Sequence, residues 1–140
     1  MGCTVSEAPN GYEQEYRDME DNPLIAKSLD FSVHIVNLCK CLRDERHETV
    51  MSKQILRSGT SIGANASEAI AAESAEDFIH KLTISLKEAN ETKYWILLLH
   101  RTHVITEDEY KSLMSGCQEL RKLLGSIIST TKRNRKNEQF

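Results

Sequence analysis

The chain has 140 residues, 39% of them hydrophobic, and a net charge of −3 at pH 7, which suits one globular domain. Its longest aliphatic run, residues 96–99, is far shorter than the roughly 20 residues of a membrane-spanning helix. The sequence does not open with a charged-then-apolar secretory leader, so we expect a cytoplasmic protein with no membrane partner.

Residues 1–21 are the most acidic part of the chain. Six acidic side chains lie there against Arg17 alone, with scattered Gly, Pro and Asn and no apolar periodicity. Such a segment has too little apolar surface to order itself. We therefore predict a flexible acidic N-terminal arm over residues 1–21.

The first predicted helix covers residues 23–46, with Asn22 as its N-cap and Pro23 in its first turn. Its apolar residues form two stripes, Ile25, Leu29, Val33 and Val36 on one and Phe31, Ile35, Leu38 and Leu42 on the other. With the small residues between them, the stripes span roughly 220° of the helix surface. This is about twice the arc that a bundle helix normally buries, and the surplus predicts a homo-oligomeric interface.

Three more helices are predicted over residues 49–72, 75–102 and 107–131. Gly59 and Gly63 weaken the second helix, which indicates that another backbone approaches closely there. Ser74 and Thr106 have the spacing of N-caps for the third and fourth helices. Short connections and the lack of strand-like alternation predict an all-α, up-down-up-down antiparallel four-helix bundle over residues 22–131.

A basic C-terminal tail is predicted over residues 132–140. Its candidate nucleic-acid-binding residues are Lys132, Arg133, Arg135 and Lys136. Clustered cations of this kind bind phosphate. The alternative is that they only keep a helix end solvated and balance its dipole.

Two carboxylates lie on an otherwise apolar stripe of the third helix, which reads Ile84, Glu88, Glu91, Trp95, Leu98. The second helix offers polar partners on one face: Arg57, Ser61, Asn65 and Glu68. We predict a buried polar network centred on Arg57 that fixes the register of the two helices. Breaking a buried pair by Arg57→Met would cost about 3 kcal/mol or more.

A metal site is the alternative interpretation of these carboxylates. Di-iron bundles use Glu-x-x-His on two helices, and here only Asp77 and His80 approach that pattern. The sequence also contains no phosphate-binding glycine loop, zinc-protease motif or nucleophile elbow. We therefore expect no metal, no cofactor, no catalytic residue, no small-molecule substrate and no enzymatic activity.

Residues 56–106 carry a specific set of short motifs. They are Arg57-Ser58, Ser61-Ile62-Gly63-Ala64-Asn65, Glu68, Asp77-Phe78, Lys81-Leu82, Lys87-Glu88-Ala89, Glu91-Thr92 and Tyr94-Trp95. This stretch closely resembles the bacterial four-helix-bundle family of 23S ribosomal RNA intervening-sequence proteins, which is related to the accessory variability determinant of diversity-generating retroelements. The first and fourth helices match only in general pattern.

The resemblance implies a homopentameric barrel of four-helix bundles, which would cover the surplus apolar face of the first helix. It also implies a nucleic-acid partner, either RNA or an enzyme that acts on nucleic acid. We therefore predict a non-enzymatic oligomer that serves as an RNA-associated accessory or adaptor. The alternative is a protein–protein interaction scaffold with no nucleic-acid role.

Overall fold

A computed structural model describes residues 21–138, which form four helices and no strand. The helices are α1 (Pro23–Asp44), α2 (Val50–Ile70), α3 (Ala75–Arg101) and α4 (Glu107–Glu138). The predicted all-α class is confirmed. Apart from Asp21, the predicted acidic arm lies outside the described residues. None of the four described helices combines the length and apolar character needed to span a bilayer.

The helix starts follow local sequence signals. The Asn22 side chain accepts a hydrogen bond from the Leu24 N–H at 3.0 Å, and the Ser74 side chain caps α3. At the start of α4, the Thr106 N–H donates to the Glu109 carboxylate at 2.8 Å, and the Glu109 N–H donates to the Thr106 hydroxyl at 3.1 Å. This reciprocal pair is a capping box, which satisfies backbone donors that the helix itself leaves unpaired.

All four helices contribute to one hydrophobic core. Its largest fully buried apolar side chains are Ile35, Leu42, Ile55, Ile62, Leu82, Ile96, Leu99, Leu113, Leu120 and Leu124. Within a helix they are separated by three, four, seven or fourteen residues, which keeps them on one face. Burial of these side chains is the main source of the stability that holds the helices together.

Residues near the end of α1 contact residues near the start of α2, and residues near the start of α1 contact residues toward the end of α2. Near the connection, the Cys39 thiol lies 3.4 Å from the Ser52 carbonyl oxygen. Farther from it, a Cβ atom added at Gly63 would lie 3.2 Å from the Ser28 hydroxyl oxygen. The same holds between α2 and α3 and between α3 and α4: the end of one helix contacts the start of the next.

Glycine allows α1 and α2 to approach closely. A Cβ atom added at Gly59 would lie only 2.9 Å from Cγ1 of Ile35, a side chain with no solvent exposure. A side chain at Gly59 would force Ile35 or the helix backbones to shift, and one at Gly63 would require a small shift of the Ser28 side chain. The close approach predicted from these two glycines is therefore present.

The fourth helix is longer than predicted. The sequence interpretation ended it near residue 131 and treated residues 132–140 as a tail, but α4 continues to Glu138. Residues 132–138 contain no Gly or Pro to stop the helix, and cations near a helix C-terminus are favoured by the helix dipole. Arg135 also pairs with Glu76 in the first turn of α3, which holds the extension against the neighbouring helix.

Candidate nucleic-acid interface

The outer side of α4 carries a row of exposed cations, which we call the basic face. At 100° per residue its members fall within an arc of roughly 100°. They are Lys111, Lys122, Lys132, Arg133 and Lys136, all exposed. Along α4 the row extends for roughly 38 Å, at 1.5 Å per residue.

Few acidic side chains of α4 lie beside the basic face. Between Tyr110 and Asn137, α4 contains seven basic residues and a single acidic one, Glu119. Glu119 is engaged by Lys27 of α1. Within the described part of the chain, no ion pair involves any member of the basic face. Glu107, on the same side of α4 one turn before Lys111, lessens the charge at that end, so the excess of positive charge is concentrated in the C-terminal half of α4.

Three of the four predicted nucleic-acid-binding residues lie on the basic face, and the fourth does not. Lys132, Arg133 and Lys136 belong to the basic face, whereas Arg135 is half-buried and pairs with Glu76. Lys111 and Lys122 were not predicted. The signal for them was available in the sequence, because both lie at helical spacing from Lys132 on the exposed side of the predicted fourth helix.

The charged pairing predicted between α2 and α3 brings together three of its six residues. The Arg57 guanidinium donates to the Glu88 carboxylate at 3.2 Å and also to the Glu91 carboxylate. The hydrogen bond to Glu91 is the largest of the contributions that raise the pKa of Arg57 above its ordinary value, and the charges of Glu88 and Glu91 add to it. One cation thus bridges two carboxylates, one turn apart, on the neighbouring helix.

The position of this pairing differs from the prediction. The side chains of Arg57, Glu88 and Glu91 are 50%, 21% and 37% exposed, so they lie at the edge of the α2–α3 interface and not in the core. Long side chains at such a boundary keep their charged ends in water. The predicted buried register lock is therefore wrong in its burial.

The other three residues predicted for this network bond elsewhere. The Ser61 hydroxyl donates to the Arg57 carbonyl oxygen at 2.5 Å, and the Asn65 side-chain amide donates to the Ser61 carbonyl oxygen at 2.8 Å. Both bonds stay within α2. Glu68 instead pairs with Lys81 of α3 at 3.0 Å. The predicted six-residue network is therefore two separate ion pairings plus local backbone bonds.

Small hydroxyl residues, which the sequence interpretation missed, form the polar contacts inside the core. The buried Thr92 hydroxyl donates to the Ser58 hydroxyl at 2.9 Å, and the buried Ser85 hydroxyl donates to the Ile62 carbonyl oxygen at 2.7 Å. These bonds join α2 to α3. These contacts could have been recognised in the sequence from the spacing of Ser85 and Thr92, which place them on the same side of α3 as its buried apolar residues.

A second charged cluster lies where α1 ends and α4 begins. Arg46 donates to the Val104 carbonyl oxygen at 2.8 Å and binds both carboxylate oxygens of Glu109, at 2.9 and 3.1 Å. Burial acts to raise the pKa of Glu109, but the hydrogen bonds from Arg46 and Thr106 outweigh it and hold the pKa below its usual value. The cluster fastens the end of α1 to the start of α4.

Histidine and cysteine side chains are the other candidates for metal binding or nucleophilic chemistry. His100 lies 2.6 Å from the Glu107 carboxylate and stacks on the Tyr110 ring, with 3.8 Å between ring centroids. Burial raises the pKa of the Cys117 thiol to about 11, which makes it a poor nucleophile. Over residues 21–138, no three His, Cys, Asp or Glu side chains are grouped closely enough to hold a metal ion.

Comparison with known proteins identifies the family. Residues 20–126 match the family model described as 23S rRNA-intervening sequence protein. The chain belongs to this family. The family predicted from residues 56–106 is therefore confirmed, and the match includes α1, α2, α3 and most of α4. The basic end of α4 and the acidic residues before residue 20 lie outside it.

A solved structure has the same fold. It is the 1.70 Å crystal structure of a protein with unknown function from the S23 ribosomal protein family of Bacteroides thetaiotaomicron VPI-5482. The two chains are 60% identical, with a TM-score of 0.74 over 75% of this chain and 97% of that one. A search of the curated proteins gave no match.

The exposure of the Arg57 pairing sets the expected effect of removing it. Arg57→Met should lower the free energy of unfolding by about 1 kcal/mol or less, because the carboxylates left behind remain in contact with water. Urea unfolding measures this, with Lys53→Met on the same helix as the control. A loss near 3 kcal/mol would instead show that Glu88 is effectively buried.

Proposed function

We propose that this protein is a non-enzymatic, homo-oligomeric accessory or adaptor that associates with RNA through the basic face of α4. The observation that carries the proposal is the row of five exposed cations on one side of that helix, none of which forms an ion pair among the described residues. Phosphate groups are the ligands that such a row recognises, because each Lys or Arg that meets a phosphate releases condensed counterions.

The shape of the basic face fits a nucleic-acid backbone better than a single phosphate. Its cations are spread over roughly 38 Å of helix, with Ser and Gln side chains between them. The cations lie on a rigid element, and exposed hydroxyls and amides contribute further phosphate contacts. The family description, which names an intervening sequence of 23S rRNA, agrees with an RNA partner.

The proposed assembly uses the opposite side of the molecule. We infer an up-down-up-down antiparallel bundle, supported by the order of contacts between successive helices, as the unit that assembles into a homopentamer. Leu29 and Val33 of α1 are 49% and 53% exposed. Leu29 lines an apolar groove of about 260 Å³ between α1 and α2, together with Gly63 and Ala64, and Val33 lies one turn farther along α1. A second copy of the chain would cover this surface.

Titration of structured RNA across salt concentrations tests the proposed interface. Neutralising three cations should weaken binding about tenfold at low salt and reduce the slope of log affinity against log salt by about 2–3. The variant is Lys132→Gln/Arg133→Gln/Lys136→Gln. A matched variant on the other helices, Lys40→Gln/Lys53→Gln/Lys87→Gln, removes the same charge and should bind as the native chain does. Absence of binding at low salt, or equal losses in the two variants, would contradict the proposal.

A protein–protein scaffold is the second candidate function, and one surface of α3 favours it. Tyr94 is 59% exposed and lines a groove with Leu97, Leu98 and Arg101. Aromatic and Arg side chains of this kind are common at protein interfaces. Recovery of one specific protein from a nuclease-treated extract, lost in Tyr94→Ala, would favour the scaffold over the RNA adaptor.

A further inference from the structure

We propose that the acidic segment of residues 1–21 docks on the C-terminal end of the basic face within the same chain and competes there with RNA. The inference concerns regulation of the proposed interface, so its functional part rests on the proposed function. It is carried by the placement of two oppositely charged segments at one end of the molecule.

The register of α1 against α4 gives this placement. The pair of Lys27, near the start of α1, with Glu119 of α4 sets this register. Counting 1.5 Å per residue back from Lys27 and forward from Glu119, Asp21 lies at about the level of residue 125. The Arg46–Glu109 pair gives only the relative direction of the helices, because Arg46 lies beyond the end of α1. The acidic segment therefore joins the helical core beside the last part of α4.

From that level α4 runs on for roughly 20 Å without α1 beside it. Lys132 and Lys136 lie roughly 10 and 17 Å farther along the axis than Asp21. Arg133 is about 40° around the helix from Glu119, on the side that faces α1, whereas Lys136 and Lys132 are about 100° and 140° from it. An extended chain spans roughly 3.3 Å per residue, so Glu13 and Glu15, which precede Asp21 by eight and six residues, are within reach of all three cations.

The charges of the two segments are complementary. The acidic segment has six carboxylates and one cation, and the last part of the basic face has three cations and no ion pair among the described residues. Tethering gives the segment an effective concentration in the millimolar range at this surface, and a polyanionic segment competes with phosphate for the same cations. We therefore expect weak docking that salt disperses.

Carbodiimide cross-linking of the full-length protein tests the docking directly, because it joins a carboxylate to a lysine amine only when the two are in contact. A mixture of ¹⁴N and ¹⁵N chains distinguishes links within one chain from links between chains. At low salt we expect within-chain links from residues 7–21 to Lys132 or Lys136, and their loss at high salt. The Lys81–Glu68 pair, at 3.0 Å, is the positive control.

The outcomes of cross-linking are decisive whether or not RNA binds. Links from the acidic segment to Lys132 or Lys136 well above those to Lys40 and Lys53 would support docking. Recovery of the Lys81–Glu68 link without any from the segment would overturn it. Links of equal yield to all exposed lysines, or links only between chains, would also overturn it.

RNA binding tests the competition. The variant Glu13→Gln/Glu15→Gln/Asp18→Asn should bind structured RNA about tenfold more tightly than the native chain at low salt, with the difference vanishing at high salt. The matched variant Asp30→Asn/Asp44→Asn/Glu45→Gln, with all three changes on or just after α1, changes the net charge equally and should show a smaller gain. Equal gains in both variants would overturn the competition. If neither protein bound RNA, the proposed function would fail and the cross-links alone would decide the docking.

Discussion

The double variant Leu29→Glu/Val33→Glu is expected to be a monomer under conditions in which the native chain is a homo-oligomer. Both side chains are half-exposed in the single chain, and Leu29 lines the apolar groove between α1 and α2. Each copy in a pentamer would bury two carboxylates without a cation opposite, at a cost of several kcal/mol per interface. Light scattering during size-exclusion chromatography measures the mass.

The control for assembly is another exposed apolar residue. Val50 is 73% exposed at the start of α2, away from the groove, so Val50→Glu should leave the mass unchanged. Circular dichroism should show native helix content in both variants, because neither site is part of the core. A native chain that is monomeric at micromolar concentration, or a double variant of unchanged mass, would contradict the proposed interface.

The second large effect is expected at Gly59, where Gly59→Ala should destabilise the protein by about 1–2 kcal/mol. The new Cβ atom would lie 2.9 to 3.3 Å from three atoms of Ile35, which is fully buried. Overpacking of this kind costs about 1–3 kcal/mol, and the better helix propensity of alanine returns up to about 1 kcal/mol. Thermal and urea unfolding measure the difference.

Gly125 provides the matched control. It lies in α4, and an added Cβ atom would meet no other atom within 4 Å. Gly125→Ala should therefore stabilise the protein by up to about 1 kcal/mol, the opposite sign from the same substitution at Gly59. Because Ile35→Ala removes the three atoms that the new Cβ atom would meet, the double variant Gly59→Ala/Ile35→Ala should lose less stability than the sum of the two single variants. Equal changes at the two glycines would show that α1 and α2 are not in close contact.

The helix starts could be predicted because their signals are local. Asn22 with Pro23, Ser74, and Thr106 with Glu109 each satisfy backbone groups within one turn, so no distant residue is needed to recognise them. The end of α4 could not be placed in this way. Residues 132–138 carry no stop signal, and the contact of Arg135 with Glu76 links two segments 59 residues apart.

The candidate site was predicted only in part for a similar reason. Lys132, Arg133 and Lys136 are visible in the sequence as a charge cluster, but Lys111 and Lys122 join them only through the geometry of one continuous helix. The sequence also gave no means of separating Arg135 from its neighbours. Its partner, Glu76, is brought close by the packing of α3 on α4.

The sequence by itself determined the helical class, the family, the three helix starts and the attraction between Arg57 and the carboxylates of α3, because these depend on local spacing and charge. Only the tertiary structure decided which side of α2 is buried. Ser58, next to Arg57 and 100° around the helix, meets Thr92 inside the core, and this leaves Arg57 at the edge. The rotation of each helix about its axis is set by the packing of the whole core, which one helix's pattern does not contain.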